Sequence, residues 1–195
     1  METGENASSM IGETLLVTLS HPLPHDWAPS TLVDLWSLRP RHFLLQPKAM
    51  LMDPRAAEAA NALFAKAETD GLHDFAILSA YRDAAHQAIL YADSRDGYVA
   101  RPGSSEHQTG LCMDVGLFRR GFSLDESHTA WLHAHCWEFG FVIRYPEGRE
   151  DITGVPYEPW HLRYVGREAA LQIRENGWTL EEWHAAHLGA ADLCR

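Results

Sequence analysis

The sequence predicts an α+β domain with a central antiparallel sheet flanked by helices. Strand and helix signals are mixed along the chain, without the regular β–α–β alternation that accompanies a parallel sheet. Residues 110–117 alternate between apolar side chains and small or polar ones, which is typical of a strand with one buried face. Hydrophobic residues make up 46% of the 195 residues, so the chain can bury a real core. We expect one domain over residues 13–195, preceded by a flexible N-terminal tail over residues 1–12.

Composition narrows the classes of function. The chain carries 16 basic and 27 acidic residues, which gives a formal net charge of −11 with histidine neutral. Such an excess of acid argues against binding to nucleic-acid phosphates and against adhesion to an anionic membrane. No apolar run approaches the ~20 residues that span a bilayer, and the N-terminus has no signal-peptide pattern. The expected location is the cytoplasm, which also suits three cysteines (Cys112, Cys136 and Cys194) that form no CxxC pair.

The first half of the chain begins with a proline-rich stretch, which predicts loops with short pieces of structure. Its prolines are Pro22, Pro24, Pro29, Pro40 and Pro47. Asp53 followed by Pro54 then predicts the start of an alanine-rich helix, because Asp is a good N-cap and Pro suits the first helical position. This helix should run to about Glu68 and stop before Gly71.

Two strands and a helix are predicted around the middle of the chain. Residues 75–79 indicate a short buried strand, and Asp83 indicates the cap of a helix that runs to about Asp93. In the alternating strand at residues 110–117, one face carries a single carboxylate, Asp114. The opposite, core-facing side carries Leu111, Met113, Val115 and Leu117.

The second half of the chain has two pairs with the spacing of a capping box. Ser123 with Glu126 predicts the start of a helix that ends at Gly140, and Thr179 with Glu182 predicts the start of the last helix. The other expected elements are strands over residues 141–145 and near residues 160–165, and helices at about residues 167–176 and 180–190.

Three residues have the chemistry of a hydrolytic zinc site. Such a site needs three protein ligands and one open position for water, and His107, Asp114 and His161 supply two imidazoles and a carboxylate. The metal can lower the pKa of bound water to about 7, and a carboxylate must then accept a proton. Glu158 is the candidate for that base. In an ideal strand, residues three apart face opposite sides, so Glu158 and His161 share a site only if Pro159 marks a bend or bulge between them.

The spacing of these residues alone leaves structural alternatives open. In a chain with 12 histidines, a His and an Asp seven residues apart carry little weight as a metal site. Glu158 is equally compatible with a solvated loop charge, and His161 with a hydrogen-bonded histidine of the core.

Longer segments resemble a known family. SEHQTGLCMDVGL resembles the SxHxxGxAxD signature of the zinc D-alanyl-D-alanine peptidases, the VanY and VanXY group. FGFVIRYPEGREDITGVPYEPWHLRYVG resembles their second signature, and SAYRDAAHQ resembles their SGYR-x4-Q segment. The resemblance covers roughly residues 14–188 and implies the fold that these peptidases share with hedgehog signalling domains.

The resemblance implies a role for each candidate metal residue. His107, Asp114 and His161 would bind one Zn²⁺ per chain, and Glu158 would be the catalytic base that later protonates the leaving amine. The implied substrate is a small peptide, either D-Ala-D-Ala or a muramyl pentapeptide.

Three further roles follow from the same resemblance. Arg82 would hold and polarise the scissile carbonyl, while Gln87 and Ser105 would help to bind the terminal carboxylate of the substrate. Fixed positive charge beside a developing oxyanion fits that chemistry. From the residues alone, Arg82 is also compatible with a surface ion pair with Asp83 or Glu158, Gln87 with a solvated helix position and Ser105 with a turn.

The implied activity is hydrolysis of the C-terminal D-Ala-D-Ala bond of peptidoglycan precursors, as carboxypeptidase, dipeptidase or both. It implies a role in cell-wall metabolism or in glycopeptide (vancomycin-type) resistance. The alternatives are an L,D-carboxypeptidase or endolysin-type peptidase on the same scaffold, and a zinc-bearing binding module without catalysis.

Two positions depart from the signatures. Cys112 stands where the family usually has Ala, and Ser79-Ala80 replaces Ser-Gly or Asp-Gly. A dipeptidase must accept a free ammonium group, which favours a nearby carboxylate. Ser79 supplies none, so we expect a preference for longer stem peptides.

Overall fold

The structure is a computed structural model, and it describes residues 12–24, 26–94 and 99–187. The tail predicted for residues 1–12 lies outside this range except for Gly12. The strands are β1 (Val33–Asp34), β2 (Leu44–Leu45), β3 (Leu51–Met52), β4 (Phe75–Ser79), β5 (Cys112–Leu117), β6 (Phe141–Tyr145) and β7 (Glu158–Tyr164). The helices are α1 (Pro54–Thr69), α2 (Ala84–Asp93), α3 (Glu126–His135), α4 (Glu150–Thr153), α5 (Arg167–Asn176) and α6 (Leu180–His187).

Five strands form the central sheet, in the order β2-β4-β5-β7-β6. Three of its four strand pairings, β4 with β5, β5 with β7 and β7 with β6, are antiparallel. Helices flank this sheet, so the α+β prediction is confirmed. The edge strand β2 differs from the expectation because it pairs with β4 in parallel. The connection between them contains β3 and α1, which is long enough for the crossover that parallel pairing requires.

Helix α1 forms where the sequence predicted it and covers the core. The Asp53 side chain accepts a hydrogen bond from the backbone N–H of Arg55, and Pro54 occupies the first turn. Its buried face consists of residues three or four positions apart, which places one apolar stripe against the sheet. These residues are Ala56, Ala57, Ala60, Leu63, Phe64 and Ala67. The ring of Phe64 lies 5.1 Å from the ring of Phe75 in β4.

Helix α3 begins later than the sequence predicted. The expected cap was Ser123 with Glu126, but the cap is Asp125, whose side chain accepts from the backbone N–H of His128. The backbone N–H of Ser123 instead donates to Arg120 O within the preceding turn, so Ser123 lies outside the helix start. The α-helix ends at His135, and a 3₁₀ turn continues the chain to Gly140.

The last two helices pack on the other side of the sheet. Thr179 and Glu182 form the predicted capping box, since the Glu182 side chain accepts from the Thr179 N–H and the Thr179 hydroxyl from the Glu182 N–H. Helix α6 ends at His187 within the described residues, and residues 188–190 of the predicted helix lie outside them. In the part of the chain that is described, no helix is both long and apolar enough to cross a bilayer.

Candidate active site

A cleft of about 1110 Å³ opens beside strands β5 and β7. All seven residues singled out from the sequence line it: Arg82, Gln87, Ser105, His107, Asp114, Glu158 and His161. Residues so distant along the chain meet because β5 and β7 are adjacent in the sheet. The segment after β4 joins them, since the backbone N–H of Arg82 donates to His107 O.

His107 is held in place by a backbone contact. It lies in a 3₁₀ turn, Glu106–Thr109, and Gly110 ends that turn with a φ of 73°, a left-handed conformation that favours glycine. Nδ1 of His107 lies 2.6 Å from the carbonyl oxygen of Ala80. Because a carbonyl only accepts, Nδ1 carries a proton. Nε2 is therefore the nitrogen left to bind a metal ion, and it lies beside Asp114.

Asp114 lies between the two predicted histidine ligands. Asp114 in β5 and His161 in β7 are direct cross-strand partners. The Asp114 carboxylate places Oδ1 2.9 Å from Nδ1 of His161 and Oδ2 3.1 Å from Nε2 of His107. The two imidazole centroids are 5.0 Å apart, with the rings nearly perpendicular. Two imidazoles and one carboxylate therefore converge from three directions, and this donor set fits a Zn²⁺ ion.

The charged groups of the site shift each other's pKa values. Burial would lower the pKa of His107, but neighbouring Cys112 and Asp114 raise it to about 9. Burial would raise the pKa of the Asp114 carboxyl, yet the two imidazoles hold it well below the usual range. The carboxylate at the centre of the site is therefore ionised, as a metal ligand must be.

A bulge brings Glu158 to the same side as His161. Ile143 of β6 pairs with Leu162 and Tyr145 pairs with Glu158, so three residues of β7 face one residue of β6. The predicted irregularity at Pro159 is thus present. Oε2 of Glu158 lies 4.0 Å from Nδ1 of His161. The Glu158 side chain is nearly buried and lines the cleft, so it is not a solvated loop charge.

Arg82, Gln87 and Ser105 form a second cluster on the cleft wall. Nε of Arg82 donates to Oε1 of Gln87 at 3.0 Å, and Nη2 lies 3.5 Å from the Ser105 hydroxyl. Nη1 of Arg82 donates to the hydroxyl of Ser79 at 3.1 Å. Gln87 is buried, and its amide donates to Ala100 O. The cluster gives the cleft a fixed positive charge with neutral hydrogen-bonding groups beside it.

The Cys112 thiol lies beside the two imidazoles, and it was not among the ligands predicted from the sequence. Ligand atoms of His107, Cys112 and His161 all lie within 4.8 Å of one another. The strand alternation could have indicated that Cys112 lies near the proposed ligands. Cys112 precedes Asp114 by two residues and therefore shares its face of β5. Burial would raise the pKa of the Cys112 thiol, but the two imidazoles lower it to about 7.

A buried charge network borders the candidate metal residues, and it was not predicted from the sequence either. Oε1 of Glu106 accepts from Nε of Arg144 at 2.7 Å and from Nη1 of Arg163 at 2.9 Å. Both guanidinium groups are fully buried. Arg144 also makes two bonds to the Glu181 carboxylate. Nothing in the sequence distinguishes these charges from surface charges, because their partners are 37 to 57 residues away along the chain.

The chain matches known proteins over most of its length. Residues 49–167 match the family model "VanY: D-alanyl-D-alanine carboxypeptidase". A D-alanyl-D-alanine carboxypeptidase of Enterococcus faecium is 32% identical over 182 residues, which cover 88% of this chain and 57% of that protein. The bifunctional D-Ala-D-Ala dipeptidase and carboxypeptidase VanXYC of Enterococcus gallinarum is 34% identical over 185 residues, which cover 87% of this chain and 92% of that protein.

Solved structures have the same fold. The LD-carboxypeptidase LdcB superposes with a TM-score of 0.76 at 38% identity, covering 86% of this chain and 83% of that one. A mutant of the vancomycin-resistance D,D-pentapeptidase VanY in complex with Zn(II) superposes with a TM-score of 0.71 at 31% identity. The match covers 88% of this chain and 98% of that one. VanYB in complex with D-alanine-D-alanine superposes with a TM-score of 0.72 at 30% identity, and the match covers 90% of this chain and 98% of that one.

Proposed function

Because the chain belongs to the VanY D-alanyl-D-alanine carboxypeptidase family, we propose that it is a zinc-dependent D,D-carboxypeptidase that removes the terminal D-Ala of peptidoglycan precursor peptides. One observation carries the proposal. The Asp114 carboxylate bridges His107 and His161 within a cleft that Glu158 and Arg82 also line. The proposed catalytic domain spans residues 13–195, and the family match lies within it.

His107, Asp114 and His161 are the proposed ligands of one Zn²⁺ per chain. They provide three donors of the types zinc prefers, and the cleft leaves room for a fourth. A zinc ion bound there supplies a Lewis acid and lowers the pKa of water to about 7. The similar structure of the VanY D,D-pentapeptidase mutant, which is in complex with Zn(II), supports this choice of metal.

Glu158 is the proposed general base. Its carboxylate lies beside His161 and faces the cleft, where it can accept a proton from the attacking water. The same carboxyl group then donates that proton to the departing amino group of D-Ala. A group that gains and returns one proton in each cycle needs no exchange with bulk solvent, which suits its nearly buried position.

Arg82 is proposed to stabilise negative charge on the scissile carbonyl oxygen. Its hydrogen bonds to Gln87 and Ser79 fix the guanidinium before substrate arrives, so little reorganisation is needed during the reaction. Gln87 and Ser105 border this guanidinium and are proposed to help to hold the terminal carboxylate of the substrate.

Two features of the cleft support the proposed preference for long peptide substrates over the free dipeptide. Its volume of about 1110 Å³ extends well past the proposed metal site to residues 16–21, 99–101 and 151–156. Ser79 contacts Arg82 and brings no carboxylate for the free ammonium group of a dipeptide. We therefore place carboxypeptidase activity on a pentapeptide above dipeptidase activity. Removal of D-Ala-D-Ala ends would serve cell-wall metabolism or glycopeptide resistance.

L,D-Carboxypeptidase activity is the second candidate. It is favoured by the 38% identity and the shared fold with LdcB, an LD-carboxypeptidase that recognises peptidoglycan. The two activities differ in the residue that precedes the terminal D-Ala, and the proposed metal, base and arginine serve both.

One experiment separates these activities. Purified protein is incubated with D-Ala-D-Ala, with a pentapeptide ending in D-Ala-D-Ala and with a tetrapeptide ending in L-Lys-D-Ala, with and without a chelator, and released D-Ala is quantified. We expect the fastest release from the pentapeptide and none with chelator. Fastest release from the tetrapeptide would favour the second candidate, and no release from any peptide would overturn the proposal.

The Glu158→Ala variant is the matched control for that assay. It should keep its zinc, because Glu158 is not among the proposed ligands, and should lose hydrolysis. Activity equal to that of the unmodified protein would show that another group is the base.

A further inference from the structure

Two buried polar atoms near the proposed zinc site face each other. Among the described residues, Oε2 of Glu106 and Nε2 of His161 have no hydrogen-bond partner. They are 3.6 Å apart, which is longer than a formed hydrogen bond. Buried polar groups without a partner are rare and call for an explanation.

The two nitrogens of His161 have different surroundings. Nδ1 lies 2.9 Å from Oδ1 of Asp114 and 4.0 Å from Oε2 of Glu158. Nε2 points the other way, toward Glu106. If Nδ1 gives its lone pair to a metal ion, the single proton of the neutral ring must lie on Nε2. That N–H would be buried, and the unpartnered Glu106 oxygen is the acceptor that faces it.

The negative charge of Glu106 is stabilised through its other oxygen, Oε1, which contacts two arginines. Oε1 receives the bonds from the two buried guanidinium groups of Arg144 and Arg163, and Oε2 receives none. The carboxylate is thus anchored on one side and available on the other. Arg163 also donates to the carbonyl oxygens of Glu13 and Leu15, so the anchor is connected to the segment that borders the cleft.

We propose that Glu106 is a positioning residue for the metal site: when Nδ1 of His161 binds the metal, the 3.6 Å separation shortens to a hydrogen bond in which Oε2 of Glu106 accepts the Nε2–H, and this bond fixes the tautomer and the direction of the ring. The inference rests on the proposed function, because it takes His161 as a ligand. Carboxylates placed behind ligating histidines orient the ring and raise its basicity. Neutralising the two arginines is a simpler role that would leave His161 unaffected, and the experiment is designed to separate the two roles.

The first test compares Glu106→Gln with Glu181→Gln. Each substitution removes one carboxylate partner of Arg144. Within the described residues, Glu106 also faces His161, whereas Glu181 bonds to Arg144 and not to His161. Zinc affinity is measured by competition with a chelating dye. We expect Glu106→Gln to weaken zinc binding about 10- to 100-fold, and Glu181→Gln to leave it unchanged. Equal affinities for Glu106→Gln and the unmodified protein, or equal losses in both variants, would overturn the inference.

The second test needs no variant, so it stands even if Glu106→Gln fails to fold. Zinc-loaded protein with ¹⁵N-labelled histidine is examined by long-range ¹H–¹⁵N correlation NMR. We expect the His161 signals to show a zinc-bound Nδ1 and a protonated, slowly exchanging Nε2. A zinc-bound Nε2 would overturn this inference and leave the proposed function standing, whereas failure to take up zinc at all would overturn both.

Discussion

Arg82 and Gln87 form a direct hydrogen bond, with Nε of the guanidinium 3.0 Å from Oε1 of the amide. The other end of the Gln87 amide donates to Ala100 O at 2.6 Å. Gln87 is only 1% exposed, so its hydrogen bonds are shielded from water. The direction of the Arg82 side chain therefore depends on a buried neighbour five residues away on helix α2. This bond makes the two residues act as a unit.

Arg82→Lys tests the role of the guanidinium. Lysine keeps the charge but loses the planar fork that reaches Gln87, Ser79 and the proposed carbonyl position together. We expect kcat/KM for the pentapeptide to fall about 10²- to 10³-fold, the loss typical of removing one oxyanion donor. Zinc content, measured by elemental analysis, should not change. Activity close to that of the unmodified protein would show that charge alone suffices.

Gln87→Ala tests whether the amide positions Arg82. It removes the acceptor for Nε and the donor to Ala100 O, so kcat/KM should fall about 10- to 100-fold through misplacement of the guanidinium. Gln172→Ala is the matched control. The Gln172 side chain in α5 accepts from Nε1 of Trp183 in α6 and does not line the cleft. Similar losses of activity in both variants would point to a general effect on stability.

The local elements could be predicted because their signals are local. Asp53 caps α1 and Asp83 caps α2 by bonds to backbone groups two or three residues away, and the alternation at residues 110–117 fixes which face of β5 carries Asp114. The predicted start of α3 was wrong because Ser123 and Asp125 are both suitable N-cap residues. The preceding turn, in which the Ser123 N–H donates to Arg120 O, decides between them.

The buried network of Glu106, Arg144 and Arg163 could not be predicted from local signals. Glu106, Arg144 and Arg163 are ordinary charged residues in the sequence, and only the pairing of β5, β6 and β7 buries them together. The tautomer of His107 likewise depends on Ala80 O, 27 residues earlier. The roles of the site residues remain predictions from resemblance, which the experiments above address.

Removing the metal should affect stability as well as activity. Zinc that binds only the folded protein stabilises it by about 2.7 kcal/mol at a free concentration 100 times Kd. We expect a chelator to lower Tm and to abolish hydrolysis, and added zinc to restore both. His161→Ala should lack the zinc-dependent shift in Tm, measured by calorimetry. A chelator that abolishes activity without moving Tm would contradict specific binding by the folded chain.

Cys112→Ala tests which side chains hold the metal. Two ligand sets overlap in the structure: Asp114 contacts both imidazoles, and Cys112 lies within 4.8 Å of the same two rings. A thiolate added to His107, Asp114 and His161 would fill the fourth position, which hydrolysis needs for water. We therefore expect Cys112→Ala to keep one zinc per chain and its hydrolytic activity.

Cys136→Ala is the control for that substitution, since Cys136 is also buried but packs in the hydrophobic core away from the cleft. Zinc stoichiometry and D-Ala release are measured for both variants. In the cobalt-substituted protein, sulfur-to-metal charge-transfer absorption should be absent with or without Cys112. If Cys112→Ala alone loses zinc, or if that absorption appears and depends on Cys112, the thiol is a ligand and the proposed set of two histidines and one aspartate is incomplete.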